Sequence, residues 1–141
     1  MIENEPEWKY ATYLASLSGC PPADAQLRER DAFRFVWDPI DQRGFDPVAL
    51  RSPRRANRPN QPSCSAYGLS MFTTEWQARD RFGELEEKHP EIRKTIGTHL
   101  ACVALTVAHG VQTPEKSSGH FDLHEYKDVD LVPVSSIVSP L

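Results

Sequence analysis

The sequence predicts one α+β domain: a mixed or mostly antiparallel sheet with an N-terminal helix and one central amphipathic helix. Three observations carry this. Short runs with a period of two, such as Phe33-Arg34-Phe35-Val36-Trp37, read as strands. A single long stretch, from Thr74 to about Lys88, has helical spacing and a capping signal. The chain's 141 residues fit one domain, which is taken to run over 1–141.

The elements follow in order. Glu5–Leu17 is predicted as a helix, because Trp8, Ala11, Leu14 and Leu17 form an apolar stripe that Tyr10 and Tyr13 widen. Ser18-Gly19 and Pro21-Pro22 stop it. Ala23–Asp31 is polar, with room for a short helical turn. Ala32–Trp37 is the first strand, with Phe33, Phe35 and Trp37 on one face and Arg34 and Val36 on the other. Residues 38–64 form a long loop rich in proline and arginine, including Arg51, Arg54, Arg55 and Arg58. A loop of that length in a small domain points to function or disorder. Ser65–Phe72 is a short strand. The helix after it is capped by Thr74 with Gln77, faces the core through Ala78, Phe82 and Leu85, and carries Glu75–Arg79 and Glu84–Lys88 pairs on its wet side. Thr98–Val107 is apolar on both faces, as a central strand is. A polar connector (110–119), a strand at His120–Tyr126 and a last segment at Val129–Val138 complete the chain.

Composition excludes several functions. Net charge is −4, so a domain devoted to nucleic acid is not expected. No apolar run reaches the ~20 residues that span a bilayer. The acidic N-terminus lacks the order of a signal peptide. The three cysteines, Cys20, Cys64 and Cys102, are far apart and without a C-x-x-C, which predicts reduced thiols, a cytoplasmic location and no metal.

Four groups of residues are candidates for chemistry. Arg34 is a charge on a core strand, and it needs an anionic partner or ligand because an unpaired buried charge is too costly. Tyr67-Gly68-Leu69-Ser70 precedes a capped helix and offers two hydroxyls, but it has neither P-loop, Rossmann nor nucleophile-elbow spacing. In His120-Phe121-Asp122-Leu123-His124-Glu125-Tyr126, alternation sets His120, Asp122, His124 and Tyr126 on one face, with neighbours ~7 Å apart. Arg51, Arg54, Arg55 and Arg58 suit either solvation or a phosphate-bearing ligand.

The order of these groups resembles the ADP-ribosyltransferase-like fold and its relative, the RES-type NAD-degrading toxin domain, over roughly Ala32–Tyr126. The resemblance implies NAD as substrate. It assigns Arg34 to gripping NAD, with Arg54 or Arg55 assisting at the phosphates, and Ser70 with Tyr67 to orienting the nicotinamide ribose. The late position, which steadies the charge as the glycosidic bond breaks, falls to Glu125 or Asp122, with His120 also available. The chain lacks the Ser-Thr-Ser triplet of such enzymes and the RES glycine-arginine-tryptophan segment, and no Glu-x-Glu stands at the late position around Glu125. The other reading is a non-catalytic binding, immunity or regulatory module of bacterial type, acting through a protein partner.

Overall fold

In the computed structural model, residues 6–51 and 64–141 are described. Arg54, Arg55 and Arg58 therefore lie outside the described residues. The elements are α1 (Ala11–Leu14), β1 (Arg30–Val36), α2 (Val48–Arg51), β2 (Leu69–Phe72), α3 (Glu75–Lys88), α4 (Ile92–Thr95), β3 (His99–Leu105), β4 (Gly110–Gln112), β5 (His120–Glu125) and β6 (Ser135–Pro140), with 3-10 turns at Gln42–Phe45, Ser65–Tyr67 and Val132–Val134. The strands form one six-stranded sheet in the order β4-β5-β2-β1-β3-β6. Every neighbouring pair is antiparallel. The predicted α+β class with its antiparallel sheet and one longer helix holds.

Alternation divides the core in two. Ala32, Val36, Leu69, Met71, Ala101, Val103, Leu105, Phe121 and Leu123 point to one face, where Phe45 and Leu131 cover them with Ile40, Val129 and Val132. This is the loop face. Phe33, Phe35, Phe72 and Leu100 point the other way and are covered by α3 through Ala78, while Phe82 meets Phe35 edge-on at 5.3 Å. This is the helix face. α3 starts as its sequence predicts: Thr74 accepts from the Gln77 N–H at 3.2 Å, and Arg79 pairs with Glu75 at 3.0 Å. Glu84, expected to pair with Lys88, pairs with Arg81 instead.

Several expectations need correcting. The N-terminal helix shrinks to the single turn α1, because residues before it cross the sheet edge: Trp8 bridges to Tyr126 and their rings lie 5.1 Å apart. Within 38–64, the described part is not structureless, since residues 42–45 and 48–51 are helical. The connector after Gly110 contains β4, and Ala23–Asp31 has no helical turn but a bridge between Gln26 and Gln112. Cys20 and Cys64 are not free thiols; they form a disulfide. The thiol argument for a cytoplasmic location falls with them, because disulfides persist in oxidising surroundings. Among the described residues Cys102 alone is free. No helix among them is long and apolar enough to cross a membrane.

Candidate functional site

β1 and β3 pair along seven residues, from Arg30↔Leu105 to Val36↔His99. By contrast, β1 and β2 pair at Phe33↔Phe72 and part beyond it. Where they part, Arg34 takes the place of the missing strand bonds. It points to the loop face and is buried. Its Nε donates to the Gly44 carbonyl at 2.7 Å, Nη1 to the Ser70 carbonyl at 2.8 Å, and Nη2 to the Asp46 carbonyl at 3.3 Å. Burial lowers its pKa from the ordinary arginine range to about 10, with Arg51 adding repulsion and Glu125, Asp46 and Tyr10 opposing the shift. The guanidinium is thus a brace between β1, the 42–45 turn and β2.

Glu125 lies on the same face, and its carboxylate is held by Lys9 Nζ at 2.8 Å. Lys9 also donates to the Val129 carbonyl at 2.5 Å. Oε1 of Glu125 is buried without a hydrogen-bond partner among the described residues. Burial lifts this carboxyl above the usual range, while Lys9 and then Arg34 pull it back. The N-terminal strap of Trp8, Lys9 and Tyr10 closes this cluster. Tyr67 joins the same strap, stacked on Tyr13 at 5.1 Å and tilted toward Tyr10 at 6.3 Å.

Ser70 and His120 occupy the helix face. β2 and β5 pair with Ser70↔Asp122 and Phe72↔His120. This register sets Ser70 Oγ 2.6 Å from His120 Nε2. Asp122 Oδ1 is 3.6 Å from the same nitrogen, and its Oδ2 accepts from Ser65 Oγ at 3.0 Å. The His120 ring stands edge-on to Phe72 at 5.6 Å. Burial lowers the His120 pKa, Asp122 raises it, and Lys116 and Arg81 lower it further. A neutral imidazole whose Nε2 accepts the serine O–H is a base poised on a hydroxyl. The carboxylate addresses the nitrogen that the serine uses, so the arrangement is a dyad with an acid beside it and not a relay of three.

The dyad forms part of the wall of a groove of about 530 Å³ that also draws on Phe35, Trp76, Arg81 and Lys116. That volume is in the range of small-molecule sites. Trp76, on the first turn of α3, is 67% exposed. The groove therefore offers an aromatic face, the dyad, Lys116 and Arg81 as cations, and the carboxylates of Asp80 and Glu84, the second of which pairs with Arg81 at 3.0 Å.

The sheet thus splits the sequence-predicted residues. Ser70 and His120 come together on the helix face. Arg34 and Glu125 lie on the loop face, and Tyr67 lies in the aromatic cluster by α1. Trp76, Arg81 and Lys116 were not singled out in the sequence; an exposed tryptophan on the first turn of a helix was the one available signal. A second grouping also escaped it. His124 is buried beside the Cys20–Cys64 disulfide, the two sulfurs and a ring nitrogen lying within 4.8 Å of one another. Compared with known proteins, the chain matches no family model, no curated protein and no solved structure.

Proposed function

We propose that this domain binds NAD in the groove on the helix face and acts on it as an ADP-ribosyltransferase-like domain. The observation that carries the reading is the Ser70–His120 contact in a groove that also holds Arg81, Lys116 and an exposed tryptophan. Further support comes from the sheet: β1, β2 and β5, the strands bearing the three positions that the resemblance marks, are neighbours. Lys116, and Arg81 on exchanging Glu84 for phosphate oxygens, would meet the pyrophosphate by charge-assisted hydrogen bonds. Trp76 would stack on a base. Ser70 and His120 would hold the nicotinamide ribose, and Asp122 would steady the positive charge that develops as nicotinamide leaves. In this reading Arg34 positions β2 and does not touch the ligand.

The second reading, a non-catalytic binding module, is favoured by one specific observation. Arg34, which the resemblance assigns to gripping NAD, is engaged by three backbone carbonyls. A thermal-shift titration with NAD on the wild type, Ser70→Ala and Lys116→Met tests binding, because a ligand of the native state raises its stability by RT ln(1 + [L]/Kd). A saturable rise in the wild type that both variants weaken supports the groove as the site. Absence of a rise at millimolar NAD refutes it. Nicotinamide release, followed by chromatography, then separates enzyme from binding module.

A further inference from the structure

His124 sits on β5 with its side chain 2% exposed. Among the described residues, neither ring nitrogen has a hydrogen-bond partner. Buried polar groups are paired in the great majority of cases, and an orphan calls for an explanation. A neutral imidazole has one donor and one acceptor, and here both are idle. What faces the ring is sulfur: Cys20 Sγ, Cys64 Sγ and a His124 nitrogen lie within 4.8 Å of one another. Cys20 comes from the segment after α1, and Cys64 from the start of the 3-10 turn before β2. Three separate parts of the chain therefore converge. Gly68 lies against the imidazole: a Cβ there would stand 2.9 Å from Asp122 Cβ and 3.2 Å from His124 Cε1, so a larger residue would have to push the ring or Asp122 aside.

We infer that Cys20, Cys64 and His124 form a redox-gated site for a thiophilic divalent cation of the zinc class, closed when the cysteines are joined and opened when they are reduced. The disulfide takes two electrons and two protons from a thiol or dithiol reductant, which becomes the corresponding disulfide, and leaves two thiols. Binding of the cation then releases two protons and gives two thiolates and a neutral imidazole as ligands. This is a borderline-soft set that suits zinc. With zinc–sulfur bonds of ~2.3 Å and a tetrahedral angle, the two sulfurs must move apart to ~3.8 Å. All three ligand atoms already lie within 4.8 Å of one another, so side-chain rotation suffices. Three protein ligands leave a fourth position for water or another ligand, the pattern of reactive zinc sites rather than closed structural ones. Both cysteines are partly exposed, which gives the reductant and the cation a way in. The site differs from the groove dyad in its residues and does not depend on NAD binding.

The test uses the full chain, with Co²⁺ as the probe. After reduction by a phosphine and removal of the reductant, one Co²⁺ per chain should give the thiolate charge-transfer band and the intense visible bands of tetrahedral cobalt, displaced by Zn²⁺. The oxidised chain should give none. His124→Ala keeps both thiols but should bind at least ~100-fold more weakly, since altering even an outer partner of a metal ligand costs roughly 10–100-fold. Alkylation counts the thiols, so incomplete reduction is recognised and corrected. If the reduced chain loses its near-UV circular dichroism, Zn²⁺ should restore it in the wild type and not in His124→Ala. Failure of reduced wild type to bind stoichiometrically, or binding that His124→Ala leaves unchanged, overturns the inference.

Discussion

Replacing Lys9 with methionine should destabilise the fold by an amount that depends on pH. Lys9 Nζ is 2.8 Å from Glu125 Oε2, and the Glu125 side chain is 1% exposed against 22% for Lys9. Methionine keeps most of the stem but removes the charge. Glu125 then faces its burial with Oε1 already unpartnered and only Arg34 still favouring its ionised form. Removing one member of a buried pair costs ~3–5 kcal/mol, because the other charge is left alone. The carboxyl has one escape, which is to bind a proton. Holding it neutral costs ~1.4 kcal/mol for each pH unit above its ordinary value, which is 4.5. The penalty is therefore capped at ~3.5 kcal/mol at pH 7 and at ~1.4 kcal/mol at pH 5.5. The sign follows from linkage. A carboxyl whose folded pKa is raised contributes stability below its unfolded value and loses it as pH rises through the folded one. Urea denaturation of wild type and Lys9→Met at about pH 7 and pH 5.5 should show the gap narrowing by ~1–2 kcal/mol at the lower pH. A gap unchanged within ~0.5 kcal/mol, at equal m-values, would show that the lysine acts through packing or through Val129 alone.

Three other outcomes follow from the same geometry. Arg34→Met orphans the Gly44 and Ser70 carbonyls, while Asp46 keeps Arg51 as a donor at 3.1 Å; two lost partners at ~1–3 kcal/mol each oppose the relief of a buried cation whose drop to about 10 is worth ~3 kcal/mol. The net loss is ~1–2 kcal/mol for methionine and at least ~3 for Arg34→Ala, which adds a cavity; chemical denaturation that finds alanine no worse than methionine contradicts the brace. Burial lowers the pKa of His120 and His124 below 6.5, so their share of stability is complete above that value and is lost as pH falls through the folded pKa; between pH 7 and 5 the wild type should lose more in melting temperature than His120→Gln, and equal losses would refute the shift. Gly110 has φ +146°, and a Cβ there would meet the His124 carbonyl oxygen at 2.1 Å; Gly110→Ala should cost well over ~1 kcal/mol by denaturant titration, and a neutral result would show that β4 is not held against β5 as described.

Period-two alternation made most of the sheet legible. It placed Phe33 and Phe35 on the face opposite Arg34, and His120 and Asp122 on the face opposite Glu125, as found. What alternation cannot tell is which face of β1 coincides with which face of β5. That depends on the register through β2, Phe33↔Phe72 and then Phe72↔His120, which is a property of the assembled sheet. Hence Arg34 and Ser70, joined by sequence order, stand on opposite sides. The N-terminal helix is overextended for a related reason. Trp8, Ala11 and Leu14 fit helical spacing, but Trp8 gains a tilted aromatic partner in Tyr126 by leaving the helix, and tertiary packing overrides a weak local preference. β4 is only three residues long and carries no periodic signal. The disulfide joins cysteines 44 residues apart, and nothing local marks such a pair.

The two faces are nevertheless coupled at one residue. Ser70 is held from the loop face by Arg34, which donates to its carbonyl, and from the helix face by His120, which meets its hydroxyl. β2 is short and pairs with β1 only at Phe72, so at Ser70, which pairs with Asp122 of β5 on one side, it lacks a strand partner on its β1 side. An arginine reaching across the gap supplies a bond of the charged class, stronger than a neutral one, and does so without entering the groove. Arg34 is therefore best understood as a positioning residue for the Ser70–His120 dyad. Loss of Arg34 is therefore expected to reach the groove through displacement of β2, although Arg34 does not line it.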